Sequence, residues 1–238
     1  MPVNSDSIWH RTYARTSPHR PVTLYRPPLP LLSPPNHSDI YGKNKSPSSM
    51  PFTSIDDEEY LRFEIVTHDG GVFSHAYSIE NILHDDATVY CSSKAGNVNI
   101  LLRFNDPHHT DTTCVLTSFI IKAPAYGFTA PCTEGLLFIS HEPISEQDTA
   151  QYDDYTIEDY DELQDTVEDQ ESMLRPAAYF SLEAPNGYFS RTQLNHRSAR
   201  YVLVKLLRSD GNSNNIDVQY IGFMGYTGAR SFPNGPFR

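Results

Sequence analysis

Asn81, Asp85 and Asp86 lie in one short stretch and carry the hard oxygen donors that suit Ca2+. Three candidates fall short of the six to eight oxygens that ion takes, so the preferred reading of Asp86 is structural. It caps the loop by accepting hydrogen bonds from backbone N–H groups. His108 and His109, with Asp106 and Asp111 beside them, could ligate a metal. Adjacent histidines on a strand point to opposite faces, so a polar hairpin loop is the simpler reading. No metal and no cofactor is expected. No nucleophile–base signature, nucleotide fingerprint or zinc spacing occurs, so no catalytic residue is nominated and the chain is read as a non-enzyme. Cys91, Cys114 and Cys132 are spaced too widely for a disulfide frame or a zinc site. They read as buried, reduced thiols, which suits a cytoplasmic or nuclear protein.

The remaining candidates are binding residues on turns. They are His68 and Asp69 in the turn His68-Asp-Gly-Gly71, Asp85 and Asp86, Tyr126 and Phe128 in a loop framed by Pro124 and Pro131, and Asn212 in the turn Ser209–Asn215. The two aromatics either fold back as a plug over the end of the domain or present a contact surface.

Strands must hold these turns. Val98, Ile100, Leu102 and Phe104 alternate with Asn99 and Arg103, so Ile100 and Leu102 face a core. Ile79, Ile82 and Leu83 make one apolar stripe of a short helical turn, and Thr88, Val89 and Tyr90 favour extended backbone. Further strands are expected at 61–67, from Val72 and Phe73 onward, at 114–122 (central by its β-prone run), 135–140, 177–183, 200–207 and 216–224. About eight strands suit a two-sheet sandwich or jelly roll.

The pattern Asn81-Ile-Leu83, Asp86, Thr88, Tyr90, Ser92, followed by a strand ending at Phe104, resembles the opening of the galactose-binding-like (discoidin, or DOC-type) β-sandwich, with Tyr90 where that family has Trp. The closing strands 200–207 and 216–225 resemble its end. The likeness spans residues 60–226 and implies an all-β galactose-binding-like sandwich. The DOC branch implies a binding module that recognises a protein partner as adaptor or substrate receptor in ubiquitin ligation. Other branches imply a carbohydrate-binding, lectin-like protein, against which stands the position of the only Trp, Trp9, far from the loops. An enzyme on the same fold is the third alternative.

Two stretches differ from the rest. Residues 1–50 hold nine prolines and six basic against two acidic residues, a net +4 that leaves −16 for the remainder of a chain whose total is −12. Proline blocks both helix and ladder, so a disordered extension is expected. A transit peptide or a polyproline ligand at Pro27-x-x-Pro30 are alternatives, and Met50 reads as a second start. Residues 142–174 are strongly acidic and contain no Lys or Arg, which suggests a solvated insertion. Thr156-x-x-Asp159 resembles a capping box for a short helix lined by Ile157, Tyr160, Leu163 and Val167. Residues 227–238 form a tail. The acidic body argues against nucleic acid and for a partner with a basic segment. No apolar run long enough for a membrane span occurs.

Overall fold

The strands Val98–Phe104, Cys114–Lys122 and Tyr201–Ser209 are the longest apolar runs in the chain, and all three are buried. The computed structural model describes residues 58–94, 96–106, 112–166, 174–182, 187–211 and 213–227. The expectations for residues 1–50, for His108, His109 and Asp111, for Asn212, for Val167 and the last part of the acidic stretch, and for the tail after 227 lie outside the described residues.

Eleven strands run in chain order: β1 (Glu59–Leu61), β2 (Phe63–His68), β3 (Tyr90–Cys91), β4 (Val98–Phe104), β5 (Cys114–Lys122), β6 (Cys132–Ser140), β7 (Ala178–Ser181), β8 (Phe189–Ala199), β9 (Tyr201–Ser209), β10 (Asp217–Val218) and β11 (Tyr220–Thr227). One helix, α1 (Ile157–Asp165), and three 3-10 turns complete the described elements. β2-β4-β9-β6-β7 form one antiparallel sheet and β1-β11-β5-β8 the other, while β3 and β10 pair separately. The two large sheets close on one core. Ile100 and Leu102 of the first and Phe119, Ile121 and Phe223 of the second are sealed in it. Phe119 bridges them, with its ring 5.5 Å from Phe180 of β7 and 5.4 Å from Phe223 of β11. Tyr90 is fully buried where its bulk was expected, and its hydroxyl donates to the Gly71 carbonyl at 2.8 Å. Gly71 sits at φ +60°, a conformation that disfavours a side chain.

Three expectations change. Val72 and Phe73 do not start a strand: the chain leaves the positive-φ Gly71 through a turn into 3-10 helices at His75–Tyr77 and Ile79–Leu83. β8 was not foreseen, because it is an edge strand whose residues are mostly exposed and polar, with only Leu194 and Ala199 buried. The acidic stretch is not simply solvated. Thr156 and Asp159 cap α1 reciprocally, and the segment crosses the outer face of the first sheet. Ile144 and Tyr152 bury there against Leu101, Leu136, Phe138 and Leu203, with Tyr160 and Leu163 packed alongside. That sheet is therefore covered on both faces, which is why β9 reads as an unbroken apolar run interrupted only by Lys205.

Candidate functional site

The strand registers collect three connections at one end of the sandwich. His68 faces Ile100, Val98 faces Leu206, and Cys132 faces Ser209 in the first sheet. Lys122 faces both Tyr220 and Phe189 in the second. The segments 69–97, 123–131 and 210–219 thus emerge together. Backbone bonds tie them: Asp217 N–H donates to the Ala130 carbonyl at 2.7 Å and Ser92 N–H to the Ile216 carbonyl at 3.0 Å.

The nominated residues divide among different tasks. Asp86 accepts from the Thr88 N–H at 2.8 Å and from its hydroxyl at 2.5 Å, and these bonds hold its carboxyl below the ordinary carboxylate range. Asp85 takes both its bonds, at 2.6 and 2.8 Å, from the Lys122 ammonium. Asn81 donates to the Ala76 carbonyl at 3.1 Å and to the Val89 carbonyl at 2.8 Å. The three therefore point to separate partners rather than to one centre. His68 packs edge-on to Tyr90, with ring centroids 6.0 Å apart. Asp69 accepts from the Asn99 backbone N–H at 2.7 Å, the Asn99 amide at 3.0 Å and the Lys94 ammonium at 2.5 Å. Burial raises its pKa, but these bonds outweigh it and the net direction is down.

Tyr126 and Phe128 of the aromatic loop are placed differently. Tyr126 stands 90% exposed at the tip. Phe128 turns inward and meets Tyr77 edge-on, with centroids 5.8 Å apart. Between them and the 69–97 segment lies an open cleft of about 190 Å³, lined by Phe73, Tyr77, Phe128, Thr129, Asn215 and Asp217 among others. Phe73, 69% exposed, stands at this cleft. At the base Asp217 is nearly sealed and committed: it accepts from Ala130 N–H at 3.0 Å and from the Asn215 amide at 2.6 Å, close to the Cys91 thiol. Burial and that carboxylate push the Cys91 thiol well above its usual range. Cys114 and Cys132, also buried, are raised to about 12.

Phe73, Tyr77 and Asp217 escaped the sequence reading, whereas Asn215 ends the turn Ser209–Asn215 that it nominated. Phe73 and Tyr77 were assigned to a strand and its sequel, and Asp217 sits in a strand pattern where only the pairing of β10 with β3 reveals its inward turn. Asp69 lies apart from this cleft, in a second groove bounded by the acidic segment.

No family model and no curated protein matches this chain. Solved structures do match at low identity. The first and second family 32 carbohydrate-binding module domains of ZmpB from Clostridium perfringens are 13% identical, covering 70% of this chain and 34% of that one, with a TM-score of 0.46. The C-terminal domain of a chitobiase from Bacteroides fragilis is 11% identical, covering 72% of this chain and 100% of that one, at 0.48. The family 32 module of NanJ from C. perfringens, solved with galactose, is 8% identical, covering 70% and 98%, at 0.45. The chain thus spans about a third of the ZmpB structure, which was also solved with GalNAc. Such structures are mostly binding modules, and one is joined to an alginate lyase domain. The expectation of a DOC-type adaptor in ubiquitin ligation that recognises a protein partner through a basic segment is corrected: three of these structures were solved with galactose, GalNAc or a disaccharide of the two. The all-β, two-sheet sandwich expected from the sequence is the fold that this chain adopts, and the solved structures it is similar to are galactose-binding-like modules.

Proposed function

We propose that this protein is a non-catalytic carbohydrate-binding module that takes a sugar in the cleft between Phe73, Tyr77 and Phe128. The cleft carries the reading. A sugar ring has an apolar C–H face and a rim of hydroxyls, each able to donate and accept. Exposed aromatic rings bury the first at little entropic cost, and a few fixed polar groups orient the second. Here the rings of Phe73 and Phe128 supply the apolar surface, and Thr129 and Asn215 supply the polar groups. Loops tied to a two-sheet scaffold keep that arrangement in place.

The same cleft supports a binding role over hydrolysis. Glycoside cleavage uses a pair of carboxyl groups, about 5–10 Å apart, flanking the bond. Asp217 is the one carboxylate among the described residues lining the cleft, and its bonds to Ala130 and Asn215 hold it as a structural brace.

The sugars to try first are galactose and N-acetylgalactosamine, those named with the similar structures. Titration followed by NMR should move the signals of Phe73, Thr129, Phe128 and Asn215, and Phe73→Ala should abolish the shifts while leaving the fold intact. Absence of binding to these sugars and to a broad glycan array would overturn the proposal.

A further inference from the structure

The second groove lies where the acidic segment meets the sandwich, and it has a chemistry different from the aromatic cleft. It encloses about 280 Å³, and its walls are polar: Asp69, Lys94, Asn97 and Asn99 from the sandwich face Glu146 and Asp153 from the acidic segment. No aromatic side chain lines it.

Its charges do not balance. Lys94 pairs with Asp69, and Lys205 pairs with Asp153. The Glu146 carboxylate has no hydrogen bond or ion pair among the described residues, which leaves one uncompensated negative charge at the groove. Asn99 is 7% exposed, and its amide donates to Asp69 at 3.0 Å, which fixes which way the group faces. The Asn99 Oδ1 is then a buried acceptor with no donor. Lys205 stands directly opposite on β9, but its ammonium is given to Asp153. The Asn97 amide gives one N–H to the Asp153 carbonyl at 2.8 Å. A buried acceptor without a donor is costly to the fold, and a ligand that donates to it recovers that cost.

We infer that this groove binds the protonated primary amine of a small ligand, with the ammonium donating to Asn99 Oδ1 and compensating Glu146. An ammonium carries three donors and no acceptor, which fits a buried acceptor without a donor beside one unpaired carboxylate. The volume sits near the lower end of known ligand pockets, and so suits a molecule of monosaccharide or diamine size. Half of the walls belong to the acidic segment, so the site exists only where that segment lies across the sheet. It is independent of the sugar cleft in residues and in ligand chemistry.

Two matched pairs of probes test it on the full chain by NMR, read at the Asn99 and Asn97 side-chain amides. One pair is galactosamine and N-acetylgalactosamine; the other is 1,5-diaminopentane and 1,5-pentanediol. At least one amine should shift these signals in a saturable way that fades with added salt, and its neutral counterpart should not. The first pair reports an amine carried on a sugar, the second an amine on an alkyl chain. Glu146 is exposed, so Glu146→Gln keeps the fold, and it should weaken the amine by about tenfold. Neither amine shifting the Asn99 signal, equal shifts from an amine and its neutral partner, or full affinity in Glu146→Gln would each overturn the inference. Shifts confined to Phe73 and Phe128 would count for the sugar cleft and against this groove.

Discussion

Lys205 of β9, with no exposed surface, forms an ion pair with Asp153 of the acidic segment, a residue 52 positions earlier whose own side chain is 45% exposed. The lysine faces the outer side of the first sheet, between Leu203 and Leu207, so it interrupts an otherwise apolar seam. This pair pins the segment to the sheet at the end where the loops gather.

Its two partners should respond unequally to mutation. Asp153→Ala leaves a buried ammonium without a counter-charge, and the loss should be roughly 3 kcal/mol, the low end for breaking a buried pair because Asp153 is partly solvated. Lys205→Met puts an apolar chain of similar length into an apolar seam and leaves only a solvated carboxylate, so its cost should be under about 1 kcal/mol. Urea denaturation of both variants measures the difference. Equal losses would show that the pair contributes through packing alone.

Ile100 and Leu102 are fully buried between the sheets. Ile100→Ala should cost about 2–5 kcal/mol. A loss under about 0.5 kcal/mol, typical of surface changes, would place β4 one residue out of register.

That register was legible because Val98, Ile100, Leu102 and Phe104 alternate strictly with residues of the other face. So were the helical turn at Ile79–Leu83 and the capping box of α1, which rest on contacts between near neighbours. What was not legible depends on partners far away in sequence. β8 reads as a polar stretch because it lies at a sheet edge, and residues Asn195 and His196 take positive φ near the irregularity in its pairing with β5. The acidic segment looked solvated because its charges dominate its composition. Yet Ile144, Tyr152, Tyr160 and Leu163 are the residues that meet the sheet, and the charges stand between them. For the site, the loop Tyr126–Phe128 could be nominated from its aromatics, whereas Phe73 and Asn215 join it only through the pairing of β3 with β10.

Asp69 should make stability depend on pH. Its pKa is lowered in the fold: burial acts to raise it, but the bonds from Lys94 and Asn99 prevail. A carboxyl depressed on folding contributes stability that is present above its unfolded pKa of about 3.9 and is lost as pH falls through the folded value. Urea melts between neutral pH and about pH 3 should therefore show a decline below about pH 4. Asp69→Asn should be less stable at neutral pH and should decline less steeply, because its amide does not titrate. An identical acid slope in the variant would assign the decline to other carboxyls.

Tyr126 and Phe128 share a loop but should fail differently when removed. Tyr126 is 90% exposed, so Tyr126→Ala should leave the melting temperature nearly unchanged. Phe128 packs edge-on against Tyr77 and lines the cleft, so Phe128→Ala should cost stability and ligand together. Loss of an aromatic contact of this kind costs about 0.5–1.5 kcal/mol beyond the buried area. Phe128→Leu fills the space without the ring and separates the two effects: stability should return in part, while sugar binding should remain weakened because a flat aromatic face is gone. Calorimetry for binding and thermal melts for stability, run on the three variants, provide the check. If Phe128→Leu binds sugar as the wild type does, the ring serves only to brace Tyr77, and recognition must fall to Phe73 and the exposed Tyr126 instead.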